Sequence, residues 1–221
     1  MAKVILLSAL ILLLPLGNAI ADVVASQSGT DTNSWTLSSD QVLAASWTSA
    51  TQAYSNVTVD VTLYGISTDG STVDAFLTDN IGSSATSADV LASNTFAYSS
   101  GSQDETFTVF SGLTLGTGTY YLVLYDPGTL GGGWWGTSPS PTQDTAPGVT
   151  IAADEFAMTS DVNATNPYAS TFGVPDRPLG LHYSVTGDLA SPVPEPSSVI
   201  VLASMFVGAA VFQIRRARKR Q

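Results

Sequence analysis

Between positions 57 and 64 apolar and polar residues alternate: Val57, Val59, Val61 and Leu63 are separated by Thr58, Asp60 and Thr62. Successive side chains of a strand point to opposite faces, so this spacing predicts a half-buried β-strand. The same period recurs at Val73, Ala75 and Leu77 after an Asp69-Gly70 turn, and at 106–110. It returns at Leu179, Leu181, Tyr183 and Val185, with a stop expected at Gly187. Residues 120–125 form a continuous apolar run after a turn at 116–118, the mark of a central strand covered on both faces. Further strands are expected near 34–37, 41–47, 90–98, 149–156 and 169–173, nine or ten in all. The Gly-, Pro-, Ser- and Thr-rich stretch 126–147 reads as one long loop. No part of 22–191 carries a capped amphipathic helix longer than about two turns. Many short strands without βαβ spacing predict an all-β domain over 22–191, an antiparallel β-sandwich of jelly-roll-like type. The chain has no cysteine, and at this length its core does not need disulfides.

Both ends depart from this pattern. Lys3 precedes an apolar run over 4–16 that only Ser8 and Pro15 interrupt, and Gly17 and Asn18 break it. Ala19 and Ala21 then place small residues where a signal peptidase reads them. Residues 1–21 are therefore expected to be a signal peptide, cleaved to leave Asp22 as the new N-terminus and implying the general secretion machinery. About 13 apolar residues are too short to span a bilayer core of ~30 Å. Toward the other end, a linker at 192–198 contains Val193, Pro194, Glu195, Pro196 and Ser197. An apolar stretch follows at 199–214, broken only by Ser204 and Gln213. A basic tail, 215–221, carries Arg215, Arg216, Arg218, Lys219 and Arg220. As a helix, 199–214 rises about 24 Å, and snorkelling Arg215 and Arg216, with Ser197 and Ser198, completes a membrane span. Basic residues stay on the cytoplasmic side, so the helix is expected to hold its C-terminus inside and 22–191 outside.

Charge sharpens the picture. All 18 acidic residues lie within 22–196, together with one cation, Arg177. So acidic a segment repels a phosphate backbone, which excludes nucleic acid as a partner. With 54 Ser and Thr among 221 residues and few long charged side chains, the composition is that of an extracellular β-protein.

The inventory for catalysis is small: one histidine and one arginine in 22–191, and no nucleophile elbow, zinc-protease helix or phosphate loop. No catalytic residue, metal ligand set or cofactor is assigned, and no enzyme is expected. His182 falls on the polar face of its strand and is expected at the surface or under a loop. Arg177, between Pro175 and Pro178, is expected to pair with Asp176 or bind back to a loop. Asp104-Glu105 and Asp154-Glu155 are the carboxylate pairs a glycoside hydrolase would need, but both are expected at exposed strand edges with ordinary acidity. A hydrolase using Asp154 or Glu155 is the enzymatic rival. Asp69, Asp74 and Asp79 lack the spacing of a calcium loop and read as solubilising charge. Trp35 and Trp47 fit the core. Trp134 and Trp135, in a Gly-rich setting, either pin the loop with both indoles or expose one as a stacking platform for a sugar ring. Thr137 and Asp144 lie near enough in sequence to hydrogen-bond such a ligand.

Pro194-Glu195-Pro196, the helix at 199–214 and the basic cluster from Arg215 to Arg220 resemble, in that order, the PEP-CTERM sorting signal of Gram-negative exopolysaccharide-producing bacteria. The resemblance covers about 29 residues. Short strings between 73 and 124, among them Gly118-Thr119-Tyr120-Tyr121-Leu122-Val123-Leu124, look like sandwich modules of other PEP-CTERM cargo. The resemblance implies an exosortase, a membrane-embedded transpeptidase-like enzyme, that recognises the tail and cleaves near the triplet. The helix is then a temporary anchor, and the product belongs at the cell surface or in an extracellular, exopolysaccharide-rich biofilm matrix. The two prolines hold the segment extended and outside any helix, and Glu195 is the one charge between Asp188 and the apolar stretch. The alternatives are a carbohydrate-binding module using Trp134 and Trp135, and a permanently membrane-anchored surface protein.

Overall fold

A computed structural model describes residues 21–30, 33–65, 72–97, 105–128, 132–137, 140–158, 161–174 and 179–190. Residues 1–20, 192–198, the expected span 199–214 and the basic tail 215–221 lie outside them, as does the Asp69-Gly70 turn. Among the described residues no helix is long and apolar enough to cross a membrane. The chain divides into two compact units, Met1–Leu189 and Ala190–Gln221.

The alternating segments fold as strands. In chain order they are β1 (Asp22–Ser28), β2 (Asn33–Leu37), β3 (Gln41–Ser49), β4 (Tyr54–Gly65), β5 (Thr72–Thr78), β6 (Val90–Ala97) and β7 (Glu105–Leu115). They continue with β8 (Gly118–Tyr125), β9 (Gly132–Gly136), β10 (Thr142–Thr145), β11 (Val149–Ile151), β12 (Glu155–Met158) and β13 (Tyr183–Leu189). One sheet runs β10-β1-β13-β4-β7, with β9 and β2 joined to the C-terminal end of β4. The other runs β3-β8-β5-β6, and β11 and β12 pair with successive parts of β3. Every pairing is antiparallel. Among the described residues the protein is thus all-β, two packed antiparallel sheets that form a β-sandwich.

The alternation decides what lies between the sheets. Val57, Val59, Val61 and Leu63 of β4 join Leu43, Ala45, Trp47, Leu122 and Leu124 of the facing sheet in one core. Trp47 is fully buried, its ring 5.9 Å from those of both Tyr120 and Tyr183. A second apolar layer covers the outer face of the β3-β8-β5 sheet, where Val42, Ala44, Val123 and Tyr125 meet Tyr168 and Ala85. This layer explains why 120–125 is apolar at every position: both faces of β8 are covered.

Several expectations are corrected. Residues 126–147 are not one loop, since they contain β9 and β10. The single strand expected at 149–156 is two, because 152–154 leaves β3 between β11 and β12. No strand of the sandwich forms at 169–173. Pro167–Ala169 is a 3-10 turn that sets Tyr168 edge-on against Phe76 at 5.3 Å. Gly187 does not end its strand, which continues to Leu189. The first strand, β1, carried too weak an alternation to be anticipated, yet it pairs on both sides, with β10 and with β13.

Candidate functional site

The tryptophan pair separates across β9. Trp134 points inward beside Leu63 and Trp35, has no exposed surface, and donates its Nε1–H to the His182 carbonyl at 2.8 Å. It is a core side chain and presents no face to a ligand, which leaves Trp135 as the one indole of the pair that could serve as a platform. Trp135 lies on the other face, half-buried, 5.2 Å from the ring of Tyr64. Its indole nitrogen is buried and has no hydrogen-bond partner.

His182 is also not at the surface. It is buried under the chain that follows β9, where its Nε2 meets Thr137 Oγ1 at 2.7 Å. Thr137 Oγ1 in turn donates to the Thr30 carbonyl at 2.8 Å. These bonds make Thr137 and His182 a clip between loops. Asp144 is exposed on β10, opposite Ser26.

The chemically distinctive group is Asp154, expected at an exposed edge with ordinary acidity and found with 4% of its surface exposed. After β11 the chain turns inward, its Ala152 amide held by the Ser46 carbonyl at 3.2 Å. Asp154 Oδ2 accepts hydrogen bonds from the Leu181 amide at 2.9 Å and from Gln27 Nε2 at 3.0 Å. Gln27 Nε2 also donates to the Leu181 carbonyl at 3.1 Å, and Gln27 Oε1 accepts from Gln143 Nε2 at 2.7 Å. Asp154 Oδ1 is buried without a partner. Burial pushes this carboxyl up to about 6, against the opposing pull of the Leu181 amide, Gln27 and the Gly180 amide. Beside it the Tyr183 phenol is pushed well above its ordinary value, first by burial and then by the charge of Asp154.

Glycine at 180 makes this approach feasible. Its φ is +62°, and a Cβ there would lie 2.1 Å from the Thr137 carbonyl oxygen. Only a residue without a side chain lets the 179–181 segment pass this close and deliver its amides to Asp154.

A cleft of about 410 Å³ opens at the side of the sandwich where β10 and β11 run. Its lining includes polar Gln27, Ser140, Gln143 and Asp154 and apolar Pro141, Ile151 and Ala153. Asp154 is the one acid among the described lining residues, which show no second carboxylate for a hydrolytic pair. The side chain of Glu155, like Arg177 and Asp104, lies outside the described residues, whereas Glu105 begins β7 opposite Leu63. Asp74 accepts from Thr95 Oγ1 at 2.6 Å and Asp79 is exposed, while Asp69 is outside the described residues. Among the described residues no three His, Asp or Glu side chains are grouped to hold a metal.

Reading the sequence missed Gln27 and Gln143. One signal was present: Gln27 follows Ala25 at the buried period of its strand, a polar residue in an apolar phase. No known family, curated protein or solved structure matches the chain.

Proposed function

We propose that this is an exported, non-enzymatic surface or matrix protein whose C-terminal tail is recognised and cut by an exosortase-like membrane enzyme, with the mature domain residing alongside exopolysaccharide. One observation carries the reading. The first strand starts at Asp22, the expected product of signal cleavage, and the folded unit closes at Leu189, just before the Pro-Glu-Pro linker. The described strands of the sandwich thus begin after the first expected sorting signal and end before the second. The order β1-β13-β4-β7 in one sheet and β3-β8-β5-β6 in the other supports the finer reading of the sandwich as a jelly roll. In this reading the signal peptide is removed by signal peptidase, and 199–214 spans the inner membrane with Arg215 to Arg220 in the cytoplasm until processing.

Intact-mass and C-terminal peptide mass spectrometry on protein recovered from its host tests this. The expected result is a terminus between Pro194 and Ser198 in the mature protein. A mature envelope protein still ending at Gln221 would make the tail a permanent anchor and remove the exosortase step.

A further inference from the structure

Away from Trp135, the one indole of the pair outside the core, a different part of the sandwich has the shape and chemistry of a small-ligand site. The cleft of about 410 Å³ between β10 and the 151–154 turn falls in the size range of about 300–1,000 Å³ usual for such sites. Its walls differ in kind. Pro141, Ile151 and Ala153 are apolar, and Gln27, Gln143 and Asp154 are planar polar groups.

Two features of the polar wall exceed what a structural clip needs. The first is the Gln143–Gln27–Asp154 chain, which runs from an exposed edge strand to a buried carboxylate and uses both Gln27 N–H groups on the protein. The second is Asp154 Oδ1, buried and unpartnered, although a carboxylate oxygen withheld from water is stabilised by a donor. An ionised Asp offers only acceptors, and Gln143 adds an amide oxygen and a second N–H. The matching ligand is a donor-rich neutral molecule with an apolar face, which describes a sugar ring better than an anion or a hydrocarbon.

We propose that this cleft binds one unit of a neutral glycan, its hydroxyls facing Asp154, Gln27 and Gln143 and its C–H face lying on Pro141 and Ile151. Gln143, exposed on the edge strand, is the movable wall that lets a hydroxyl reach Asp154 Oδ1. The inference rests on the proposed matrix setting for its choice of ligand, and on the cleft alone for its location.

The test is saturation-transfer NMR on the full chain in a sugar-free detergent, with the methyl glycosides of glucose, galactose and mannose at millimolar concentration. Transfer to at least one glycoside is expected, reduced at least fivefold by Gln143→Ala and by Asp154→Asn and unchanged by Trp135→Ala. Gln143→Ala alters one exposed side chain, so it remains informative even if Asp154→Asn does not fold. No transfer to any of the three, or transfer that survives Gln143→Ala, overturns the proposal. Loss of transfer in Trp135→Ala would return the contact to β9 and overturn it too. A calcium-induced rise in melting temperature that Asp154→Asn removes, without sugar transfer, would make the cleft a cation site instead. C-terminal processing is read separately by mass, so failure here leaves the sorting proposal standing, and the reverse also holds.

Discussion

Trp134 and His182 are joined by a buried hydrogen bond: the indole Nε1–H donates to the His182 carbonyl at 2.8 Å, while the His182 amide donates to the carbonyl of the next residue, Trp135, at 2.8 Å. The first bond joins a core side chain of β9 to the backbone entering β13, and the second joins the two backbones. Trp134→Ala therefore empties the largest inner position of β9 and leaves the His182 carbonyl with the Thr62 amide, at 3.2 Å, as its remaining donor. The expected loss is about 3–5 kcal/mol of stability, read from urea unfolding, with a much smaller loss for Trp135→Ala.

Asp154 gives the fold a pH dependence of definite sign. Its folded value of about 6 lies above the 3.8 of an exposed carboxyl. The native state therefore holds the proton more tightly than the unfolded chain, and the group favours folding most below pH 3.8. That contribution is lost as pH rises through 6, to a total on the order of 3 kcal/mol. The stability difference between the wild-type protein and Asp154→Asn should grow in favour of wild type as pH falls from 7.5 to 4.5. A difference that stays constant across that range would mean the carboxyl is not raised.

Gly180→Ala should be among the most damaging single-methyl additions. Placing a non-glycine residue at φ +62° costs about 1–3 kcal/mol. The added Cβ also meets the Thr137 carbonyl oxygen at 2.1 Å, so the 179–181 segment must move away. The measurement is the urea midpoint, and retention of wild-type stability would show that the two loops separate freely.

Thr137→Val keeps the shape of the side chain and removes the hydroxyl that bridges Thr30 and His182. The Thr30 carbonyl, on an exposed residue, can turn to water, while the buried His182 ring loses this bond, which should cost about 0.5–1.5 kcal/mol. Comparing thermal midpoints of the two proteins decides it, and an unchanged midpoint would assign the clip no net value.

Much of the sandwich was legible because alternation is a local property. Val57 to Leu63 announces β4, and the apolar run at 120–125 announces a strand with both faces covered. What escaped is set by distant neighbours. Gly133 and Gly136 looked like loop residues, yet they are strand positions where a neighbouring chain passes close. A Cβ at Gly136 would sit 2.3 Å from the Leu179 carbonyl oxygen, and one at Gly133 3.1 Å from the Ser34 Cβ. Asp154 escaped for the same reason. Its burial and its shifted acidity depend on Gln27, 127 positions away, and on the amide of Leu181. No window of sequence around Asp154 contains either partner.

The place of β13 has a consequence for how folding proceeds. The last strand to be synthesised lies between the first, β1, and the fourth, β4, with Asp22 opposite Gly187. Until it arrives, β10-β1 and β4-β7 are two separate half-sheets, each with an unsatisfied edge. Synthesis must therefore reach the end of β13 before the first sheet can close. Such late, non-local pairing is slow and exposes strand edges that invite aggregation. During that interval the edges of β1 and β4 stay open, and a chain shortened before Tyr183 keeps its first sheet divided.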